Sequence, residues 1–449
     1  MLLLAYALYR ILSTLRFWAS RRLTPAGWLV LAGLSISGPV GVDLEQSIAS
    51  QTFAILLCLA LVAMLWALAF RGRFVIERRL PRFGSVGHPF AYRVSVRNQG
   101  HTPWRELEYF EDLADSRPTW KEFSRSHRAS PGSRSFRLAK PRPGTLQHRR
   151  AVVKPVPLSS LPGGGEVERG LEVLPLKRGP LRFAGATLAS RDPIGLFRGF
   201  VRVPLPQTVL ILPKRYRLPA IALPGTHKYH QGGVAFAASV GESEEFVSLR
   251  DYRPGDPLRH VHWRSSARAG RLVVKEFEDE FFVRHALILD TFGSADMAET
   301  FEEAVSLAAS LASTVDTQES LLDLMFVGAQ AVCFTTGRGL AHPDQAMEVL
   351  ASVQLCAVQP FSALQTLVLE HAPVLSGCIC VFLAWDEPRR EMVKRLTALG
   401  LPLLVLVVTD EAGARELAEL GAEERPEHFL VLVAGKMEAG LQALEGALF

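Results

Sequence analysis

The chain has 449 residues, 48% of them hydrophobic, five cysteines and a formal net charge of +5. That length predicts more than one domain, and a charge this modest does not by itself indicate nucleic acid. Cys58, Cys333, Cys356, Cys378 and Cys380 are odd in number and form no C-x-x-C pair, which excludes a disulfide framework and a zinc ribbon and fits a reducing compartment.

Residues 1–22 place Leu4, Leu8, Ile11, Leu15 and Trp18 at helical spacing, with Arg10 and Arg16 off that stripe. This predicts an amphipathic helix in the membrane interface. No basic segment precedes the apolar stretch and no small-residue cleavage site follows, unlike a secretory signal peptide.

Two uncharged runs come next, and residues 23–73 read as a two-helix transmembrane hairpin. Residues 46–70 contain TFAILLCLALVAMLWALAF, and residues 23–42 read LTPAGWLVLAGLSISGPVGV. A bilayer core of about 30 Å needs roughly 20 apolar helical residues. Pro39 and several glycines interrupt the earlier run, a pattern membrane helices tolerate; its rival reading is a buried core helix. The connection, with Asp43 and Glu45, has no Lys or Arg. Arg10, Arg16, Arg21 and Arg22 lie before the pair, and Arg71, Arg73, Arg78 and Arg79 after it. The positive-inside rule then predicts a two-pass protein of the inner (plasma) membrane with both termini cytoplasmic, and the lipid bilayer as a partner.

Residues 74–213 change texture. FAYRVSVRN, GEVERGLEVLP and QTVLILP are short strands between Pro and Gly clusters, predicting an Ig-like β-sandwich. The GGG at 163–165 lacks the Lys-Ser/Thr of a phosphate loop and reads as a hairpin turn. HRRAVVKP and RSHRAS are basic patches, read as a solvated face beside an anionic membrane. A linker, residues 214–283, follows; its His227 and His230 have no spacing that indicates a metal.

Within that linker, Arg250, Arg253, Arg259, Arg264, Arg268, Arg271 and Lys275 accompany Asp251 and Asp256. Glu242, Glu244 and Glu245 flank the run on one side, and Glu276, Glu278, Asp279 and Glu280 on the other. Seven basic against nine acidic groups leave a net of −2. A nucleic-acid grip carries a positive excess, so no nucleic-acid partner is expected. Arginine forks pair carboxylates with two bonds, which suggests a self-neutralising clasp. Asp256 suits a helix N-cap, Pro257 the first turn and Gly270 the stop, predicting a short helix or pair of turns over 257–269 and a strand over 272–277. On a helix His260 and His262 do not face each other, which argues against a His–His metal site. Trp263 reads as a packing anchor with an arginine stacked on it.

SLRDYRPGDPLRHVHWRSSARAGRLVVKEFE resembles the signature of domain of unknown function 58, a bacterial membrane-anchored family. Arg250, Tyr252, Gly255, Asp256, Arg259, Trp263, Ala267 and Arg268 match its pattern; Val261 stands where Ile is usual. DPIGLFR at 192–198 resembles the second marker of that family. Its members accompany a MoxR-type AAA+ ATPase and, in some cases, von Willebrand A and transglutaminase-like proteins. The resemblance therefore implies a client, adaptor or scaffold in envelope maturation or stress response, with Arg250, Tyr252, Gly255, Asp256, Arg259, Trp263 and Arg268 as its interaction residues.

In residues 284–449, HALILD, LLDLMFVG, AVCFTTG, CICVFLAW, PLLVLVVT and HFLVLVA are apolar strands, with helical segments such as TFEEAVSLAASLASTV and PRREMVKRLTALG between them. This predicts a doubly wound α/β sheet, and it resembles a von Willebrand A domain. Such domains often carry a cation at the carboxyl ends of the strands. Here the loop reads Asp290-Thr291-Phe292-Gly293-Ser294, with Phe292 in place of one oxygen ligand. Asp290, Ser294 and Asp386 are thus the candidate ligands for a divalent cation such as Mg.

No Walker loop, H-E-x-x-H or Ser/His/Asp arrangement is present. The expected function is a non-enzymatic, membrane-anchored interaction scaffold. The alternative is a metal-dependent hydrolase using Asp290, Asp386 and the motif histidines.

Overall fold

A computed structural model describes residues 2–40, 47–115, 117–120, 124, 149–218, 246–256, 258–277, 283–314, 320–337, 343–356, 359–419, 421 and 425–442. The expectations for Asp43 and Glu45, for His227 and His230, for Pro257, and for Glu242, Glu244, Glu245, Glu278, Asp279 and Glu280 lie outside the described residues, as do all of RSHRAS and His148 of HRRAVVKP. Two compact units result: Met1–Lys214 with Met347–Val353, and Arg215–Ala346 with Gln354–Phe449.

The first unit opens with helices α1 (Leu2–Arg22), α2 (Pro25–Val40) and α3 (Ser47–Ala69). Within α3, Ile48–Ala69 is apolar over 22 residues, about 33 Å of helix, which by length and composition suffices to cross a bilayer. The 16 described residues of α2 give about 24 Å of helix. The two helices touch: a Cβ on Gly33 would lie 3.0 Å from Leu56, and one on Gly38 3.4 Å from Phe53. Small residues permit such close approach between apolar helices.

In α1 the stripe Leu4, Leu8, Ile11, Leu15 and Trp18 is exposed. Its other side is tied down. Tyr6 donates to Pro118 O at 3.3 Å and packs edge-on against Trp120, and Arg117 donates to Thr14 Oγ1 at 2.8 Å.

The rest of this unit is β. Strands β1 (Phe74–Arg79), β3 (Phe90–Asn98), β7 (Glu166–Pro175) and β5 (Ala151–Val153) form an antiparallel sheet in the order β1-β3-β7-β5. A second sheet has the order β2-β9-β8-β4-β6, from β2 (Phe83–Ser85), β9 (Arg198–Leu212), β8 (Gly179–Arg191), β4 (Leu107–Leu113) and β6 (Val156–Pro157). Inward residues of both sheets, among them Ile76, Val94, Val96, Leu107, Leu171, Leu188, Val209 and Ile211, share one core. Alternation of buried and exposed residues along β1 and β3 is the period of a sheet with one wet face. The GGG turn precedes β7. A Cβ at Gly163 would meet His101 O at 2.3 Å, and Gly164 has φ +68°. Close approach at one position and left-handed backbone at the next leave room for glycine only.

One flanking charge is not where the topology argument placed it. Arg78 follows Phe74 and Ile76 in strand register, so its side chain points inward, and it is fully buried. It pairs with Glu111, donates from Nε to Gln207 Oε1 at 2.8 Å, and lies over the Phe183 ring. The Tyr92 and Tyr109 hydroxyls donate to the same carboxylate. In the folded chain Arg78 is therefore a core residue of the β-unit and not a charge exposed beside the apolar helices.

The second unit contains a two-stranded antiparallel hairpin, β10 (Phe246–Asp251) with β11 (Val273–Phe277), joined through helix α4 (Trp263–Ala269). Beyond it lies a six-stranded sheet of β12 (Val283–Leu289), β13 (Ser320–Val327), β14 (Ala331–Thr336), β15 (Gly377–Phe382), β16 (Leu403–Thr409) and β17 (Phe429–Val433). Its order is β14-β13-β12-β15-β16-β17, parallel except for β14. The helices along this part of the chain are α5 (Ala298–Thr314), α6 (Pro343–Ser352), α7 (Ser362–His371), α8 (Glu387–Ala398), α9 (Glu411–Ala418) and α10 (Met437–Gln442); residues 347–352 of α6 belong to the first unit. Strands β12, β13 and β15 are almost wholly buried, which explains their unbroken apolar runs. Cys378 and Cys380 sit in β15 as buried free thiols. Chain order reverses between β12 and β15, the topological switch point at which open α/β sheets place ligands.

Candidate functional site

Two places assemble the residues that the sequence singles out. The first is the β10–β11 hairpin. Arg250 forks onto Asp256, with Nη1 to Oδ2 at 2.7 Å and Nη2 to Oδ1 at 2.8 Å. Asp256 Oδ2 also accepts from Arg253 N at 2.8 Å, and Asp256 N donates to Arg253 O at 3.0 Å. Gly255 has φ +108°, a backbone that suits glycine. Asp256 closes a turn and ties it to β10. The Arg250 bond, with help from the Arg253 amide, lowers its pKa to about 2.

Across the hairpin Arg271 pairs with Asp251 at 2.9 Å, and Tyr252 N donates to Leu272 O at 3.0 Å. The expected helix divides into a short 3-10 turn, Leu258–His260, and α4, which stops at Gly270 with φ +66°. Val261 is buried against Val274. Ser266 is the residue that sequence reasoning missed. It is buried, donates from Oγ to His262 O at 3.1 Å, and accepts from Val273 N at 2.9 Å, fastening α4 to β11. Its only signal was a small hydroxyl one turn after Trp263.

Trp263 overturns the packing-anchor expectation: it is 66% exposed, because it begins α4 on the solvent side. Leu258 is 64% exposed, and Leu249 and Leu272 are also open. Arg253, Arg259, Arg264, Arg268 and Lys275 are exposed around them. Arg268 makes no ion pair among the described residues, where the clasp shows the pairs Arg250–Asp256 and Arg271–Asp251. His262 Nδ1 lies 2.7 Å from Ser265 Oγ.

The second place is the switch point. Asp290 follows β12 and is fully buried. Its Oδ1 accepts from Phe292 N at 2.9 Å, and its Oδ2 accepts from Leu383 N at 3.0 Å and Arg389 Nε at 2.7 Å. Asp386 is the N-cap of α8 and takes Arg389 Nη1 at 2.5 Å. Arg389 Nη2 donates to Phe292 O at 3.1 Å, and its guanidinium lies 4.8 Å from the Phe361 ring centre. Phe292 packs edge-on against Phe361. Ser294 faces Asp296 instead. Of the three candidate cation ligands, Asp290 and Asp386 thus meet on a guanidinium, and Ser294 stands apart. No group of three His, Cys, Asp or Glu suited to a metal occurs among the described residues. Arg389 was hidden in PRREMVKRL, a run that reads as an ordinary helix surface.

The turn at residues 192–198 also has a defined structure. The buried Asp192 carboxylate accepts from Ile194 N at 2.7 Å, Gly195 N at 2.8 Å and Phe197 N at 2.5 Å. Gly195 adopts φ +77°.

Known proteins match parts of this chain. The family model described as protein of unknown function DUF58 matches residues 248–372, spanning the Arg-rich hairpin and the first part of the six-stranded unit. The uncharacterized protein YeaD of Bacillus subtilis (strain 168) is 26% identical over 193 residues, 42% of this chain. The match spans 47%, about half, of that protein's length. Both support the DUF58 resemblance. Among solved structures, the CARDB domain of the PF1109 protein from Pyrococcus furiosus aligns with 31% of this chain and 89% of its own, at 14% identity and a TM-score of 0.17. Manganese-loaded TRAP protein of Plasmodium vivax aligns with 36% of this chain and 73% of its own, at 12% identity and a TM-score of 0.29. Scores this low carry no meaning for fold or function.

Proposed function

We propose that this protein is a membrane-anchored interaction platform whose Arg-rich hairpin docks another protein. The observation that carries this reading is that Trp263 and Leu258, together with Arg253, Arg264 and Arg268, are exposed on a hairpin braced by the Arg250–Asp256 pair. Water gains nothing from a large apolar ring left open, whereas Trp and Arg are the side chains that dominate binding hot spots. The Arg250–Asp256 fork holds the surface in one shape before a partner arrives, which lowers the entropy cost of binding.

By resemblance to DUF58, a MoxR-type AAA+ ATPase is the favoured partner, in envelope or complex maturation. A two-pass anchor with both termini cytoplasmic is consistent with α2 packing beside the apolar α3, and the order of the six-stranded sheet supports a von Willebrand A-like reading. Asp290 and Asp386 both pair with Arg389, which weighs against the metal-dependent hydrolase.

The test is photo-crosslinking from a probe amino acid at position 263, in native membranes and with a purified MoxR-type ATPase. A specific adduct that W263A and R264E abolish in a competition format supports the reading. Undiminished association by both variants overturns it.

A further inference from the structure

Three chain segments rich in arginine meet at the turn of residues 192–198. Thr24 donates from its backbone N to Leu196 O at 3.1 Å and from Oγ1 to Gly195 O, and Leu23 bridges Phe197. A Cβ on Gly27 would lie 2.2 Å from Leu196 O. On the other side, a Cβ on Gly199 would lie 2.5 Å from both Ala67 O and Phe70 Cβ. The start of α2 and the end of α3 are therefore seated on one short stretch of the β-unit. That brings Arg22, just before α2, to the same end of the helix pair as Arg71 and Arg73, just after α3.

The carboxylates of this face are already engaged. Asp112 pairs with Arg21 at 2.6 Å, and Glu108 pairs with Arg191 and with Arg198 at 2.9 Å. Arg22, Arg71 and Arg73 have no carboxylate partner among the described residues; Arg71 and Arg73 are exposed. Arg22 lies over the rings of Phe200 (4.9 Å) and Trp18 (5.8 Å), and its Nε is buried without a hydrogen-bond partner. Trp18 and Trp28, both half exposed, flank the Leu23–Thr24 junction in sequence, and the apolar stripe of α1 ends at Trp18. Apolar helix, tryptophan belt and unpaired arginines follow one another as hydrocarbon, interface and headgroups do in a leaflet.

We infer that Arg22, Arg71 and Arg73 form a binding site for the phosphate of an anionic phospholipid headgroup where the apolar helices join the β-unit. The inference rests on the membrane reading of α3. The occupant is a lipid and not a free anion because the arginines border exposed apolar faces that acyl chains would cover.

The full chain in neutral detergent is loaded with phosphatidylglycerol or phosphatidylcholine, and retained lipid is counted by native mass spectrometry. Wild type is expected to retain phosphatidylglycerol in preference. R71Q/R73Q and R22Q should each weaken that preference, about fivefold per arginine removed, while R71K/R73K keeps it. Because Arg71 and Arg73 are exposed, their variants should melt as wild type does. Equal retention of the two lipids by wild type, or an undiminished preference in R22Q/R71Q/R73Q, overturns the inference. Displacement of phosphatidylglycerol by millimolar inorganic phosphate would show a soluble-anion site and overturn it too. Retention of neither lipid would instead remove the membrane reading, and the inference with it.

Discussion

Arg389 Nε lies 2.7 Å from Asp290 Oδ2, in a position where both side chains are buried. The same guanidinium holds Asp386 and the carbonyl of Phe292, so one arginine of α8 joins the loops that follow β12 and β15. It supplies fixed positive charge at the switch point, where a bound cation would supply a removable one.

Removing that guanidinium strands a carboxylate in the core. Arg389→Met is expected to destabilise the α/β unit by about 3–5 kcal/mol, the cost of breaking a buried pair from one side. Adding Asp290→Asn should recover part of the loss, a coupling that a double-mutant cycle in denaturant will measure. Magnesium should leave the wild-type Tm unchanged. A magnesium-dependent rise would mean that a cation competes for Asp290.

The Arg78–Glu111 pair predicts a similar outcome in the β-unit. Glu111→Ala leaves a buried guanidinium and two tyrosine hydroxyls without their acceptor, and should cost about 3–5 kcal/mol. Exposed Arg79→Ala, one residue from Arg78, should change stability by less than about 0.5 kcal/mol. Equilibrium unfolding of the two variants separates the inward arginine from its outward neighbour.

The Arg-rich hairpin should respond to acid in a defined window. Asp256 has its pKa lowered from 3.8 to about 2, chiefly by the Arg250 bond. A carboxylate lowered in the fold contributes stability above its unfolded pKa and loses that contribution as pH falls through the folded one. Protection of the β10 and β11 amides from exchange, relative to the unstructured chain at the same pH, should therefore be constant down to about pH 4 and fall between about pH 4 and pH 2. Asp256→Asn should remove the step.

His285, buried in β12, responds at higher pH. Burial lowers its pKa, so the unfolded chain binds the proton more tightly than the fold does. The α/β unit should lose stability as pH falls below the usual histidine range, near 6.5. His285→Leu should flatten that part of the Tm–pH profile.

Trp263→Ala and Arg268→Ala should be nearly silent in stability, within about 0.5 kcal/mol, because both side chains are exposed. A large loss in either melting curve would return these residues to a packing role and weaken the docking proposal.

Periodicity and punctuation in the sequence were enough for much of this protein. The apolar run of α3, the alternating strands of the β-unit, the buried strands β12, β13 and β15, and the stop at Gly270 all depend on neighbours close in sequence, whose spacing encodes which face is dry. Tertiary structure alone decided the rest. It turned Arg78 inward, because strand register and not residue type sets the direction of a side chain. It brought Arg389 to Asp290 across 99 residues of chain, and it set Gly199 against the end of α3. It also left Trp263 open to solvent, since burial depends on what packs over a residue, and no local pattern records that.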